Sequence, residues 1–413
     1  MAHPKLFLKP GREKSLRQRH PWIFSGAVAR VETGAVDGGT VDCCAADGTF
    51  LARCCWNGAS QIVARVWSWN DEPVDRAFFV RRLAESAARR AVFSRIGEGG
   101  RRLTNAFRLV NGEADLLPGL VVDAYADFLS VQVLTLAMAR RLPEIVEILA
   151  EQSHPAGIWQ RSDVEIRRKE GLEPETGLLY GEAPPERLEI VENGMRLLVD
   201  LHGGQKTGFF LDQRESRRLV GRFLAEAAAS RPPDAPPLEL LNAFSYSAGF
   251  GVSAAQAVPS CRVLNLDASS GALALAKANA ELNGVQSDCW EYLEGNAFEL
   301  LRKFRDQGRK FDAVVLDPPK FAQSKSQAEG ACRGYKDLNL LAFKLLRPGG
   351  LLFTFSCSGG VSPELFQKVI AGAAVDAGRD TQLLAHLGPG QDHPVALAFP
   401  EGEYLKGLAI RCL

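Results

Sequence analysis

The chain is 413 residues long, 46% hydrophobic and 24% charged, with 49 Lys and Arg balanced by 49 Asp and Glu. That length implies two or three domains, and the composition excludes a disordered or fibrous chain. The balanced charge excludes binding of polyanions through net charge alone. No window reaches the apolar length of a membrane span, and the N-terminal MAHPKLFLKPGREK has no secretory apolar core. Nine cysteines without a small-scaffold spacing fit a reducing, cytoplasmic setting rather than a disulfide framework.

Met1–Arg30 is locally basic. Lys5, Lys9, Arg12, Lys14, Arg17, Arg19 and Arg30 stand against one acid, Glu13. Such a stripe suits phosphate contacts, and a solvated basic face is its ordinary competitor. WIFSGAVARVE, TVDCCAADGTFLARCCW and SQIVARVWSW are β-like runs broken at Asp47-Gly48 and Asn57-Gly58, which are hairpin signals. The chain up to about Trp69 therefore reads as a small all-β module. Cys43–Cys44 and Cys54–Cys55 invite a zinc site, but adjacent strand residues face opposite ways and no nearby histidine completes a standard spacing. Packing cysteines, and no metal, are expected. Asp75–Ala91 reads as a connecting helix. From about Arg101 to Leu188 the text is mixed α+β, with strands at Arg108–Val110, Leu120–Tyr125, Phe128–Leu134 and Gly157–Gln160 and a helix near Leu142–Glu151.

From Leu197 onward strands alternate with helices. Asp212–Ala229 is expected to be helical, and RPPDAPP at Arg231–Pro237 to be a linker. Then come strand Leu238–Ala243, helix Val252–Ala257, strand Arg262–Asp267 and helix Gly271–Asn283. Strand Phe311–Leu316, helix Leu338–Leu346, a turn at Arg347–Gly350 and strand Leu351–Phe355 follow. This alternation predicts a parallel sheet covered on both faces. The closing VALAFPEGEYLKGLAIRC reads as an antiparallel hairpin around Pro400-Glu401-Gly402.

NAFSYSAGFGVSAAQ, Asn242–Gln256, places small residues and glycines next to a helix N-terminus, where a ligand can approach the backbone. Asn242, Phe244, Ser245 and Gly249 are its candidate contacts. Asp267 ends the next strand, where an acid commonly takes a ribose diol, so the pair points to an adenosine-type ligand. The loop lacks GxGxxG and the chain ends antiparallel, which disfavours a nicotinamide enzyme and favours S-adenosylmethionine. Asn296, in EGNAF, is placed to reach the adenine amine. In VVLDPPKFAQSKSQ, Asp317 sits just outside a strand's carboxyl end on a loop stiffened by Pro318-Pro319. Cys357, in LLFTFSCSGG, leaves the core at the end of the following strand. A thiolate that adds to carbon 6 of a pyrimidine makes carbon 5 nucleophilic. Asp317 would hold and help protonate ring nitrogen 3, stabilising the charge that develops on addition. The competing reading of Cys357 is a small buried hydrophobe.

At these residues the sequence resembles the ribosomal RNA large subunit methyltransferase I family, 23S rRNA (cytosine-C5)-methyltransferases. The resemblance runs through GREKSLRQRHPWIFSGAV, LPGLVVD, RSDVEIRRKEGL, GQKTGFFLDQRESR, DPPKFAQSKSQ, GACRGYKDLN, FSCSG and PEGEYLKG. It implies an α/β fold with a PUA RNA-binding domain at residues 1–71 and a helical linker at 72–100. A central EEHEE α+β domain at 101–190 and a Rossmann-like class I methyltransferase domain at 191–413 would follow. It further implies Cys357 as nucleophile with Asp317 as partner, and Lys206, Thr207, Phe210, Gln213 and Asp317 among the S-adenosylmethionine contacts. Lys9, Arg12, Lys14, Arg17, Arg19 and Lys320 would contact 23S rRNA or a large-subunit precursor, with a homodimer as one candidate assembly. Asn296 stands where relatives often carry Asp, and Asn111 and Leu117 depart from the usual middle-domain loop. Lys320 follows Pro319 where many RNA cytosine-C5 methyltransferases carry a second cysteine. A guanine-directed methyltransferase with a structural Cys357, a non-catalytic assembly factor and a dehydrogenase are the alternative readings.

Overall fold

The computed structural model describes residues 3–94, 103–322 and 327–413. The chain divides into two compact units. One comprises Met1–Val191, Val199–Leu211 and Gln391–Gly402; the other comprises Glu192–Leu198, Asp212–Gly390 and Glu403–Leu413.

The first unit begins with β1 (Lys5–Leu8), α1 (Lys14–Arg17), β2 (Trp22–Ile23), β3 (Val28–Val31), β4 (Thr40–Cys44), β5 (Phe50–Trp56) and β6 (Ala64–Ser68). Their sheet has the order β2-β6-β5-β4-β1-β3. Asp47-Gly48 turns β4 into β5, with Gly48 at φ +91°, and Asn57-Gly58 opens the β5–β6 connection. The period-2 reading of the cysteine pairs holds. Cys54 packs with Leu6, Val41 and Cys43, while its neighbour Cys55 joins Trp67 and Phe78 in a different cluster. Helix α2 (Arg76–Arg90) starts where Asp75 accepts a bond from the Phe78 amide. Its Phe78, Phe79 and Leu83 lie in one core with Trp67, Val110, Leu120 and Val122.

That core rests on a second sheet: β7 (Ala106–Asn111), β8 (Leu120–Tyr125), β9 (Phe128–Val133), β10 (Gly157–Ser162) and β11 (Glu175–Gly181), in the order β11-β10-β9-β8-β7. Helix α3 (Leu136–Ser153) precedes β10. It starts at Leu136 rather than near Leu142, because Thr135 caps it through the Met138 amide and Pro143 is accommodated inside. The edge strand β11 carries no strong alternation in sequence and was not expected. The expected end of the helical linker, residues 95–100, lies outside the described residues, as does the start of the middle domain at 101–102.

A hairpin of β12 (Leu188–Glu192) and β13 (Met195–Val199) comes next. The second unit then runs α4 (Arg214–Ala229), β14 (Glu239–Ala243), α5 (Gly249–Ala257), β15 (Arg262–Asp267), α6 (Ser270–Leu282), β16 (Trp290–Glu294) and α7 (Ala297–Asp306). It closes with β17 (Phe311–Leu316), α8 (Ala328–Leu345), β18 (Leu346–Ser356), α9 (Pro363–Asp376), β19 (Thr381–Leu387) and β20 (Lys406–Cys412). The sheet order is β16-β15-β14-β17-β18-β20-β19. Strands β14 to β18 are parallel; β20 pairs antiparallel with both β18 and β19. The alternating pattern and the α/β class are therefore borne out. Chain order reverses between β14 and β17, which is where open α/β sheets bind ligands.

Three expectations for the C-terminal part of the chain need correction, and one helix was not foreseen. The closing hairpin is not built from VALAF: β20 pairs with Thr381–Leu387. Prolines at 394 and 400 bracket Val395–Phe399 and withhold two amide donors, and Leu397 is fully exposed. Helix α8 starts at Ala328, ten positions earlier than expected, its Gly330 and Gly334 being tolerated where Ala331 and Tyr335 are buried in the core. Arg347–Gly350 lies within β18, which bulges between its pairings with Phe311 and Ala313. Helix α9 was missed, although Ser362 caps the Leu365 amide and Pro363 takes the first turn.

Candidate active site

The turn after β14 takes an unusual path. Phe244, Tyr246 and Ala248 have φ of 59°, 45° and 60°, a left-handed conformation that costs on the order of 1 kcal/mol at a non-glycine residue. Backbone bonds compensate: Ser245 N–H donates to Leu266 O at 3.0 Å, and Ala248 N–H to Ser245 O at 2.7 Å. The Tyr246 amide donates to Asp267 Oδ2 at 2.8 Å, and the Ser269 amide to Asp267 Oδ1 at 3.0 Å. Asp267 is half-buried with its carboxylate oriented by these two amides. Asn242 is buried and donates to Asn265 Oδ1 at 2.9 Å. Gly249 opens α5 and is buried.

Several polar atoms at and beside this turn are buried without a protein partner among the described residues: the hydroxyls of Ser245 and Ser247 and Asn265 Nδ2; Gln213 Oε1, beside Asp317, is another such atom. Protein interiors rarely tolerate such groups. Their concentration beside the strained turn leaves unused hydrogen-bonding capacity there. Gly251 has another explanation than the ligand approach expected for it. A Cβ there would lie 2.9 Å from Asn265 Oδ1 and 3.1 Å from Trp290, so it permits α5 to pack on the sheet. Asn296 is exposed, and its side-chain oxygen accepts the Phe298 amide at 2.9 Å as the cap of α7.

On the other side of the reversal, Asp317 follows β17 and is half-buried. Its Oδ2 accepts from Gln213 Nε2 at 3.0 Å. Pro318 is buried, while Pro319 and Lys320 are exposed. Residues 323–326 of the AQSKSQ segment lie outside the described residues.

Cys357 is half-buried at the end of β18, and the serines that flank it explain why it sits between them. Ser356 Oγ donates to the Tyr335 hydroxyl at 2.9 Å. Tyr335 and Ser358 share a hydroxyl bond at 3.0 Å. The Ser358 hydroxyl also accepts the Ala322 amide at 3.1 Å, which ties the Cys357 turn to the loop that carries Asp317. Burial pushes the Tyr335 phenol above its usual pKa, so it stays a neutral hydrogen-bonding group. From β20, Lys406 Nζ donates to Ser358 O at 2.8 Å and Val361 O at 2.7 Å. Sequence reading missed Tyr335, Ser356, Ser358 and Lys406. The motifs GACRGYKDLN and PEGEYLKG contained two of them, but a late start for α8 and a misplaced hairpin hid what they do.

The remaining expected residues belong to the first unit. Lys206 is exposed at φ 55°, with its ammonium 4.8 Å from the centre of the Phe210 ring. Thr207 is buried and donates to Asp123 Oδ2 at 2.5 Å. Lys9, Arg12, Lys14, Arg17 and Arg19 are all exposed, and the Arg19 guanidinium lies 4.9 Å from the Trp69 ring centre.

Comparison with known proteins fits this architecture. A family model described as S-adenosylmethionine-dependent methyltransferase matches residues 108–377, and a PUA-like domain model matches residues 6–69. Ribosomal RNA large subunit methyltransferase I from Aeromonas salmonicida is 48% identical over 98% of both chains. The protein of that name from Klebsiella pneumoniae strain 342 is 47% identical, covering 99% of this chain and 98% of its own. The chain belongs to the ribosomal RNA large subunit methyltransferase I family. Members of the matched model use S-adenosylmethionine, and so does this chain. At the level of fold, a methyltransferase solved with SAH superposes with a TM-score of 0.82 at 23% identity over the whole of both chains. A protein of Streptococcus mutans described as a SAM-dependent methyltransferase gives 0.81 at 22%, again over both whole chains. Among the described residues no helix is long and apolar enough to cross a membrane.

Proposed function

We propose that this family member methylates carbon 5 of one cytosine in 23S rRNA, with Cys357 as the covalent nucleophile. The observation that carries the reading is the turn after β18. Its two serines bond Tyr335 and the Ala322 amide and so hold Cys357 on a loop bonded to the one that bears Asp317.

When bound, S-adenosylmethionine supplies the electrophilic methyl group that carbon 5 takes up. Asp267, oriented by two amides, would accept the ribose hydroxyls. The unpartnered atoms of Ser245, Ser247, Asn265 and Gln213, with Asn242, Phe244 and Gly249, would line its cavity. Asn296 has its oxygen engaged in a cap and would offer its amide nitrogen or remaining lone pair. Lys206, Thr207 and Phe210 extend the contact set that the family resemblance implies. The Cys357 thiolate adds through sulfur to carbon 6 of the cytosine, which moves the 5,6 π-electrons onto carbon 5. Asp317 would hold ring nitrogen 3 and give it a proton as negative charge spreads there, and would take that proton back when the sulfur departs. After methylation, loss of the carbon-5 proton to a base expels the sulfur from carbon 6, restoring the double bond and the thiolate.

The target base must leave its stack to reach a thiol on a sheet rim, at a cost of a few kcal/mol that favours loops and single strands. The exposed Lys9, Arg12, Lys14, Arg17 and Arg19 would hold the phosphates, with Lys320 near the reacting base. Trp67 packs on Phe79 at a centroid distance of 5.4 Å, so truncating the N-terminal sheet would open the core of the unit, and point substitutions are the appropriate probe. Lys14→Ala with Arg17→Ala should lower the salt slope of RNA binding by roughly one unit each and leave S-adenosylmethionine affinity unchanged. The deciding experiment incubates the full chain with 23S rRNA and S-adenosylmethionine, then identifies the methylated nucleoside by mass spectrometry. 5-Methylcytidine that disappears in Cys357→Ala is the expected result. A methylated guanosine, retained in Cys357→Ala, would replace this reading with the purine-directed one.

A further inference from the structure

Lys406 is an unusual residue for the middle of a sheet. It is only 5% exposed, it lies in β20 opposite Ser356, and among the described residues no carboxylate forms an ion pair with it. Its bonds go instead to the carbonyls of Ser358 and Val361. A buried ammonium without an anion is costly, and such groups either find a counter-charge or lose their proton.

The groups that face it narrow the choice. Burial lowers the Lys406 pKa; against that pull Cys357 and Glu403 favour its charged form, and Lys320 adds to the lowering. Glu403 is exposed and in no ion pair with it. Tyr335 faces Cys357 from α8 and is held neutral by burial. Cys357 immediately precedes Ser358, whose carbonyl anchors the ammonium, so a thiolate there would supply a nearby anion within the same turn. Carbonyl anchoring also fixes where the positive charge sits, which a flexible surface lysine could not do.

We propose that Lys406 is a positioning residue for the reaction, a fixed buried cation that stabilises the thiolate form of Cys357. The thiol proton goes to solvent, Lys406 keeps its own, and the pair forms within the sheet edge. This rests on the reading of Cys357 as nucleophile for its purpose, but the coupling between the two side chains can be measured without any methyl transfer.

The test is the rate of Cys357 alkylation by iodoacetamide in the full-length protein across a pH series, followed by mass spectrometry of the peptide that contains it. In the wild type the midpoint should fall below the ordinary thiol value. Lys406→Met should raise it by about one pH unit or more, and Lys406→Arg should keep it low. Thermal melting checks that each variant is folded. A wild-type midpoint at or above the ordinary value overturns the proposal even if Lys406→Met fails to fold. So does a folded Lys406→Met with an unmoved midpoint. A low, Lys406-dependent midpoint in an enzyme whose Cys357→Ala variant remains active would support the coupling and sink the nucleophile. An unmoved midpoint with an inactive Cys357→Ala would do the reverse.

Discussion

The turn after β14 and the turn after β18 lie on one edge of one sheet, and each carries two serines separated by a single residue. In the first, the hydroxyls of Ser245 and Ser247 are buried without a protein partner among the described residues, and three left-handed residues strain the backbone. In the second, the hydroxyls of Ser356 and Ser358 share bonds with Tyr335 and the Ala322 amide, and no residue from Ser356 to Gly360 has positive φ. The difference separates two ways of making a site. One turn leaves buried polar atoms unpaired among the described residues, as the proposed cofactor site requires. The other is complete without a ligand and is spent on holding one side chain.

Substitutions should divide along the same line. The largest effect belongs to Cys357→Ala, which should lower methyl transfer on the order of a thousandfold or more. Calorimetry should find its S-adenosylmethionine affinity unchanged, because the thiol belongs to the turn that does not await the cofactor. Asp267→Ala should weaken S-adenosylmethionine binding by about 1.5–3 kcal/mol, the scale of a lost charged hydrogen bond. Part of that loss comes through Tyr246, whose amide the carboxylate anchors. Equal affinity in the two proteins would remove Asp267 from the ligand.

Smaller effects sharpen the contrast most. Ser358→Ala strands the Ala322 amide and a Tyr335 partner, so urea unfolding of the free protein should fall by about 1–2 kcal/mol. Ser245→Ala removes a hydroxyl that has no protein partner among the described residues. The free protein should then change by less than about 0.5 kcal/mol, while cofactor affinity drops by about 0.5–1.5 kcal/mol. If both alanines destabilise the free protein alike, the two turns are not different in kind.

How much of this was legible in sequence follows from the range of the interactions involved. Parallel strands such as Arg262–Asp267 and Phe311–Leu316 are short apolar runs between helices, and the structure reproduces both ranges. Asp267, Asp317 and Cys357 could be placed because each ends a strand, and a strand end in an open sheet is a position with a meaning. Tyr335 and Lys406 could not. Tyr335 reaches Ser358 across 23 residues and Lys406 reaches it across 48, so their purpose depends on how α8 and β20 pack rather than on local pattern. VALAF misled because its alternation is that of a strand while Phe399 is used elsewhere, at 4.6 Å from the ring centre of Trp22. Gly251 misled in the opposite sense, since a glycine beside a ligand loop invites a ligand reading and the contact it relieves is with Asn265 and Trp290.

The measurement that bears most directly on the central claim uses an RNA carrying 5-fluorocytosine at the target position. Addition of Cys357 to carbon 6 and methylation at carbon 5 would leave no proton to lose, so sulfur could not depart and enzyme and RNA would stay joined. The account predicts a denaturation-resistant adduct that requires S-adenosylmethionine, is absent in Cys357→Ala and forms far more slowly in Asp317→Ala. An adduct that persists in Cys357→Ala, or no adduct with an RNA whose cytosine version is methylated, would contradict it.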